Sequence, residues 1–174
     1  MGYTVIRSHE ICAGHRVVGH ESKCRHLHGH NYKFHFKVAP KHGCGKVVTR
    51  GKLVEGGLDS VGRVIDFSVV KTTLCQWLED NWDHKFLHWE HDSVINSLIV
   101  VASTEFAREN NLVKDEDYDP FVNSLVALPF NPTAENLAAY MVDVIGPQLL
   151  DQYGVELVEC TIEETSKCHV NYCK

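Results

Sequence analysis

Residues 28–38 read His-Gly-His-Asn-Tyr-Lys-Phe-His-Phe-Lys-Val, and such a run has little freedom in how it folds. Tyr32, Phe34, Phe36 and Val38 alternate with Lys33, His35 and Lys37. Aromatic and β-branched residues at period two mark a strand with one buried face. If the strand begins near His28, parity places His28 and His30 on the same face as the rings. Imidazoles turned inward need partners, and neutral imidazole is a common metal ligand. His15 is a candidate third ligand, brought alongside if a first strand pairs with this one. Three histidines around one open position is the pattern of catalytic zinc, whereas structural sites close all four positions.

Spacing alone leaves other arrangements open. The histidines also fit a loop or core in which hydrogen bonds satisfy them, or a closed site that takes Cys12 or Cys24 as fourth ligand. Cys12 and His15 have opposite parity on a regular strand, which weighs against the Cys12 version. The His-x-Glu with Cys-x-x-Cys pattern of zinc deaminases is missing. Cys24 stands four residues before His28. A thiolate beside a metal cation and Arg25 is favoured, so Cys24 is a candidate base or nucleophile. Cys44, Cys75, Cys160, Cys168 and Cys173 read as inert small hydrophobes.

Other segments give an order of strands, then helices, then strands. Tyr3–Ser8 is a short strand candidate, Pro40–Gly45 a turn, and Lys46–Thr49 with Gly62–Phe67 a second hairpin around a glycine-rich loop at 51–62. Ser68 is placed to cap a helix to about Asn81, through Val70, Leu74, Trp77 and Leu78. Ser93–Asn110 is expected to be helical and Lys114–Pro120 an acidic loop. Asn131-Pro132-Thr133 opens another helix, with proline in its first turn. Val155–Glu164 and His169–Tyr172 read as closing strands. This order implies α+β rather than a Rossmann-type alternation.

Length and charge bound the function. A chain of 174 residues points to one domain. Its 17 Lys and Arg against 23 Asp and Glu give a net charge of −6, unsuited to gripping a nucleic-acid backbone. No apolar run approaches the ~18 residues that a membrane helix requires, and the opening Met1-Gly2-Tyr3-Thr4-Val5-Ile6 has no charged leader with an apolar core. The expectation is a cytoplasmic protein with reduced thiols.

The segments Cys12-Ala-Gly-His15-Arg16 and Cys24-Arg-His-Leu-His28-Gly-His30-Asn31-Tyr32 together resemble the 6-pyruvoyl-tetrahydropterin synthase family. The likeness continues in order through Gly62-Arg-Val-Ile-Asp66-Phe67, Asp83-His84-Lys-Phe-Leu87, Pro132-Thr133-Ala-Glu135-Asn136 and Glu164-Thr165. The short gap between Cys24 and His28 is similar to the queuosine-pathway branch, 6-carboxy-tetrahydropterin synthase; the animal biopterin enzymes have a longer one. A third branch, acting on dihydroneopterin in folate synthesis, carries a Glu near the Cys, where this chain has Arg25. Residues 40–61 and 88–131 look like insertions into a single domain spanning 1–174.

The resemblance implies the tunnelling (T-) fold, an antiparallel sheet with paired helices on one face, assembled as a homohexamer of two stacked trimers. It implies Zn2+ held by His15, His28 and His30, with Cys24, Asp83 and His84 as the acid/base set. Glu164, with Thr133, is implied to anchor a pterin ring. Strand parity agrees in one respect, since Glu164 shares a face with Val158, Cys160 and Ile162, and a carboxylate there calls for a fixed donor. The implied reaction is that of a zinc-dependent lyase converting 7,8-dihydroneopterin triphosphate to 6-carboxy-5,6,7,8-tetrahydropterin, acetaldehyde and triphosphate. Arg16, Lys23 and Arg25 are expected to supply a positive field for the triphosphate. The rival readings are a 6-pyruvoyl-tetrahydropterin synthase and a zinc-stabilised binding module without chemistry.

Overall fold

A computed structural model describes residues 2–41, 47–49, 52–54 and 57–174. The strands in chain order are β1 (Val5–His15), β2 (His28–Pro40), β3 (Val47–Thr49), β4 (Lys52–Val54), β5 (Phe86–Trp89), β6 (Leu125–Leu128), β7 (Val155–Thr165) and β8 (Cys168–Cys173). Helix α1 runs through Phe67–Val70, Lys71–Cys75 and Gln76–Asn81; α2 is Ser93–Ser103, α3 Glu105–Glu109 and α4 Asp115–Asn123. Helix α5 runs through Ala134–Tyr140, Met141–Ile145 and Gly146–Leu150. No helix among the described residues is long and apolar enough to cross a membrane.

Two compact units divide the chain. The first comprises 1–11, 31–80 and 134–174; the second comprises 12–30 and 81–133. Strands β1 and β2 run through both. In the first unit the strand order is β1-β2-β7-β8, with β2–β7 and β7–β8 antiparallel. Period-two burial holds along β2, where Tyr32, Phe34, Phe36 and Val38 are all buried. Helix α5 packs on β7 and β8 and against α1, and Val70, Leu74, Leu78, Leu137, Met141 and Ile145 are buried. Gly146 permits the close approach of α5 to β7, because a Cβ there would stand 2.8 Å from the Leu157 Cβ. Other side chains of the sheet form a polar ladder of His35–Glu163, Lys37–Glu159 and Thr161–Asn171.

Both helices widen at mid-length into a π-turn, Lys71–Cys75 in α1 and Met141–Ile145 in α5. The start of α1 lies two residues earlier than Ser68 suggested. Asp66 is the cap, accepting from the Ser68 N–H at 2.8 Å, while Arg63 bonds both Asp59 and Asp66. Residues 62–66 are therefore a turn tied by carboxylates. The expected hairpin partner is displaced: Val47–Thr49 pairs with Lys52–Val54 instead. Of the expected turn, Pro40 ends β2 and residues 42–45, Cys44 among them, lie outside the described residues, as do Lys46 and residues 50, 51, 55 and 56 around the glycine-rich loop.

The second unit adds what periodicity did not reveal. Strand β5 pairs in parallel with the end of β1, Gly14 opposite Phe86 and His15 opposite Leu87, and β6 extends the order in parallel. The complete sheet is thus mixed, its antiparallel pairs joined by parallel ones. The crossover from β5 to β6 carries α2, α3 and α4. Thr104 adopts extended backbone and accepts from the Ala107 N–H, dividing the helix expected over 93–110. The expected acidic loop is helix α4, whose first turn holds Asp115, Glu116 and Asp117. Carboxylates at that position favour a helix by meeting its exposed N–H groups.

Candidate metal centre and active site

The end of β1 and the start of β2 are pressed together at a pair of glycines. A Cβ on Gly29 would stand 3.0 Å from the Ala13 carbonyl oxygen, and one on Gly14 would stand 2.7 Å from the Phe86 ring. The central glycine of His28-Gly29-His30 thus has a steric reason, as close backbone approach is the use to which glycine is best suited. Across this narrow pair, His15 on β1 faces His28 and His30 on β2. Ring centroids are 4.4 Å apart for His15–His28, 5.2 Å for His15–His30 and 5.1 Å for His28–His30. Their ligand nitrogens all lie within 4.8 Å of one another.

The hydrogen bonds of two of these rings suit a cation. His15 Nδ1 is 2.7 Å from the Pro132 carbonyl oxygen, and His28 Nδ1 is 2.7 Å from that of His26. A carbonyl can only accept, so in each ring Nδ1–H is the donor, and the neutral form of such a ring has its lone pair on Nε2. Burial pushes the His15 imidazole down, to about 4; the Pro132 hydrogen bond opposes the shift, and the His28 and His30 rings add to it. A neutral imidazole in the correct tautomer needs no proton displaced before it ligates, so the residues present fit a metal ion.

The same depression predicts an acid response of the metal-free protein. As pH falls below the ordinary value of 6.5, the unfolded chain protonates at His15 before the folded chain does, down to about 4. Stability is therefore full above about 6.5 and falls across that window, by on the order of 2–3 kcal/mol at its lower end. Urea midpoints of chelator-treated protein should fall between these limits, and less steeply in His15→Asn. Equal slopes for the two proteins would contradict the burial of a neutral His15.

The Asp83-His84 pair is fastened to the same strand. Cys12 N–H donates to Asp83 Oδ1 at 2.9 Å, and His84 N–H donates to the Cys12 carbonyl at 2.7 Å. His84 adopts a left-handed backbone, φ 55°, uncommon for a non-glycine residue. Its Nδ1 lies 2.7 Å from Asp83 Oδ2, so these sequence neighbours do hydrogen-bond to each other. Desolvation raises the Asp83 pKa, but the Cys12 N–H and the His84 ring outweigh it and hold the carboxyl below its usual value. Nδ1 is thus turned to the carboxylate, and Nε2 lies on the other edge of the exposed His84 ring.

Cys24 is half-buried in a one-turn helix, Lys23–Arg25, and its carbonyl accepts from the Val17 N–H at 2.8 Å. The thiol is free. Cys12 is exposed where His15 is buried, as the parity argument required, and neither cysteine belongs to the histidine group. Arg16 departs from expectation. Its Nε lies 3.2 Å from Asp92 Oδ2, a carboxylate only 1% exposed, so its guanidinium already has an anionic partner. Lys23 and Arg25 are exposed. Of the residues expected to share a face with Glu164, Cys160 and Ile162 are buried but Val158 is not. A bulge in β7 puts Leu157 on the buried face instead. Glu164 is itself the extra residue between Glu163, opposite His169, and Thr165, opposite Cys168. Buried Cys75 and Cys160 have thiol pKa values raised by desolvation, which agrees with an inert role.

Asn131, Pro132 and Asp92 went unassigned in the sequence. The only signals were a proline before a helix and an Asp before Ser93, both readable as ordinary caps.

A mixed α+β sheet whose paired strands bring three histidines within ligand distance of one another, with an Asp–His couple bonded to the first of those strands, defines a class of candidate metal-site proteins. A sequence model of the 6-pyruvoyl tetrahydropterin synthase family matches residues 4–174, and the chain belongs to that family. A 6-carboxy-5,6,7,8-tetrahydropterin synthase of Rickettsia bellii is 29% identical over 161 residues, 92% of this chain and 93% of the relative. The Haemophilus influenzae protein of the same name is 26% identical over 130 residues, 73% of this chain and 70% of the relative. Among solved structures, an uncharacterized protein from Wolinella succinogenes aligns with TM-score 0.73 at 20% identity, covering 99% and 98% of the two chains. The 6-pyruvoyl tetrahydropterin synthase of Caenorhabditis elegans aligns with TM-score 0.56 at 20% identity, covering 99% and 95%. These structural likenesses support the T-fold.

Proposed function

We propose that the protein is a zinc-dependent lyase converting 7,8-dihydroneopterin triphosphate to 6-carboxy-5,6,7,8-tetrahydropterin, acetaldehyde and triphosphate, a step toward queuosine. The observation that carries it is the trio His15, His28 and His30, whose ligand nitrogens lie within 4.8 Å of one another, with Nδ1–H of His15 and of His28 held by backbone carbonyls. The curated relatives bearing the carboxy-tetrahydropterin name, and the short gap from Cys24 to His28, favour this branch over its pyruvoyl counterpart.

A zinc ion held by the three histidines would supply Lewis acidity to the side-chain hydroxyls of the substrate. In this reading Cys24 takes and returns protons at the side-chain carbons. His84 exchanges a proton through Nε2, with Asp83 fixing its ring through Nδ1. The Glu164 carboxylate accepts the amino and ring N–H groups of the pterin as a bidentate partner, and Thr133 is a further pterin contact. The family match over 4–174 supports one T-fold domain. The resemblance supports a cytoplasmic homohexamer.

The test is incubation of purified protein with dihydroneopterin triphosphate, with and without chelator, and identification of products by mass. Metal-dependent 6-carboxy-tetrahydropterin with acetaldehyde is the expected result. A pyruvoyl product without acetaldehyde would move the chain to the other branch. Untouched substrate from zinc-loaded protein would leave a binding module.

A further inference from the structure

We propose that Asn131 is a positioning residue of the metal centre, acting on His15 through the Pro132 carbonyl. This rests on the reading of the three histidines as metal ligands.

The Asn131 side chain clamps one residue of backbone from both sides. Its Oδ1 accepts from the Val18 N–H at 2.9 Å, and its Nδ2 donates to the Val18 carbonyl at 2.7 Å. An amide is the shortest side chain that offers an acceptor and a donor in one plane. Val18 lies just beyond the end of β1, three residues after His15. The residue after Asn131 is Pro132, whose carbonyl meets His15 Nδ1 at 2.7 Å. The ring of Pro132 locks its φ near about −65°, so few torsions separate the clamp from the carbonyl that it aims.

The consequence is chemical as well as mechanical. The carbonyl keeps the proton of His15 on Nδ1, which leaves Nε2 for the metal. Groups that orient a metal-bound histidine in this way typically contribute 10–100-fold to affinity. The clamp reaches further, because Val17, next to Val18, donates its N–H to the Cys24 carbonyl at 2.8 Å. One amide thus ties the turn that bears Cys24 to the segment that orients His15.

Two readouts separate this role from a merely structural one. Zinc affinity, by competition with a chromophoric chelator, should fall about 10–100-fold in Asn131→Ala. Nitrogen-15 spectra of the metal-free protein above pH 7 should show the Nδ1–H tautomer of His15 in the wild type and a mixture in the variant. Unchanged affinity and tautomer in Asn131→Ala, whatever its melting temperature, would overturn the inference. If Asn131→Ala does not fold, Asn131→Asp keeps the acceptor for Val18 and loses the donor. A partial shift in both readouts supports the role, and none overturns it. A wild-type protein that takes up no zinc would remove the metal reading, but the tautomer comparison still decides the role of Asn131.

Discussion

Cys24→Ala is expected to lower turnover of dihydroneopterin triphosphate at least about a hundredfold, since general acid–base terms contribute roughly 10²–10⁴-fold. Zinc content and melting temperature should change little. The contact holding the Lys23–Arg25 turn that the structure defines is backbone, from the Val17 N–H to the Cys24 carbonyl, and alanine preserves it. Cys24 does not belong to the histidine group, so its loss takes no ligand from a metal ion. Turnover, metal analysis and thermal melting on one preparation make the check. Full activity in the alanine variant would remove Cys24 from the chemistry and leave His84 to carry the proton transfers alone. Reduced activity accompanied by lost zinc would instead make Cys24 a ligand.

His28→Ala should take bound zinc from about one ion per chain to about none after dialysis, because a catalytic site with three protein ligands has no fourth to fall back on. Activity should be lost with it. His28 suits this test better than His15. It is half-buried on β2, whereas His15 is 2% exposed, so truncation at His15 would also open a cavity. Metal analysis and chelator competition decide the matter, with circular dichroism to confirm the fold. Retention of zinc at wild-type affinity would show that the ion is held by a different set of residues.

Legibility in the sequence followed burial geometry. β2 was readable because one of its faces is buried and the other polar, and strict alternation survives only in that situation. β5 was not. Leu87 and His88 are both buried, so adjacent positions carry no alternation, and β5 lies between the parallel partners β1 and β6. The division at Thr104 and the π-turns of α1 and α5 were equally hidden. Apolar spacing continues across all three, and only hydrogen bonding marks the interruption. The bulge at Val158 misled parity because an extra residue shifts the count by one.

The candidate site divides along the same line. Which residue types were available could be read from their order along the chain: three histidines, a cysteine four positions before the His-Gly-His run, an adjacent Asp and His, and the order of motifs that places the chain in its family. Their state came from folding. It turned His84 back onto Asp83 through a left-handed backbone, and it engaged Arg16 with buried Asp92. It also set the Pro132 carbonyl against His15, a residue 117 positions away in the chain. A tautomer, a pKa or an ion pair is set by whatever atoms lie within about 3–4 Å. Neighbours that close are brought together by folding, however far apart they stand in sequence.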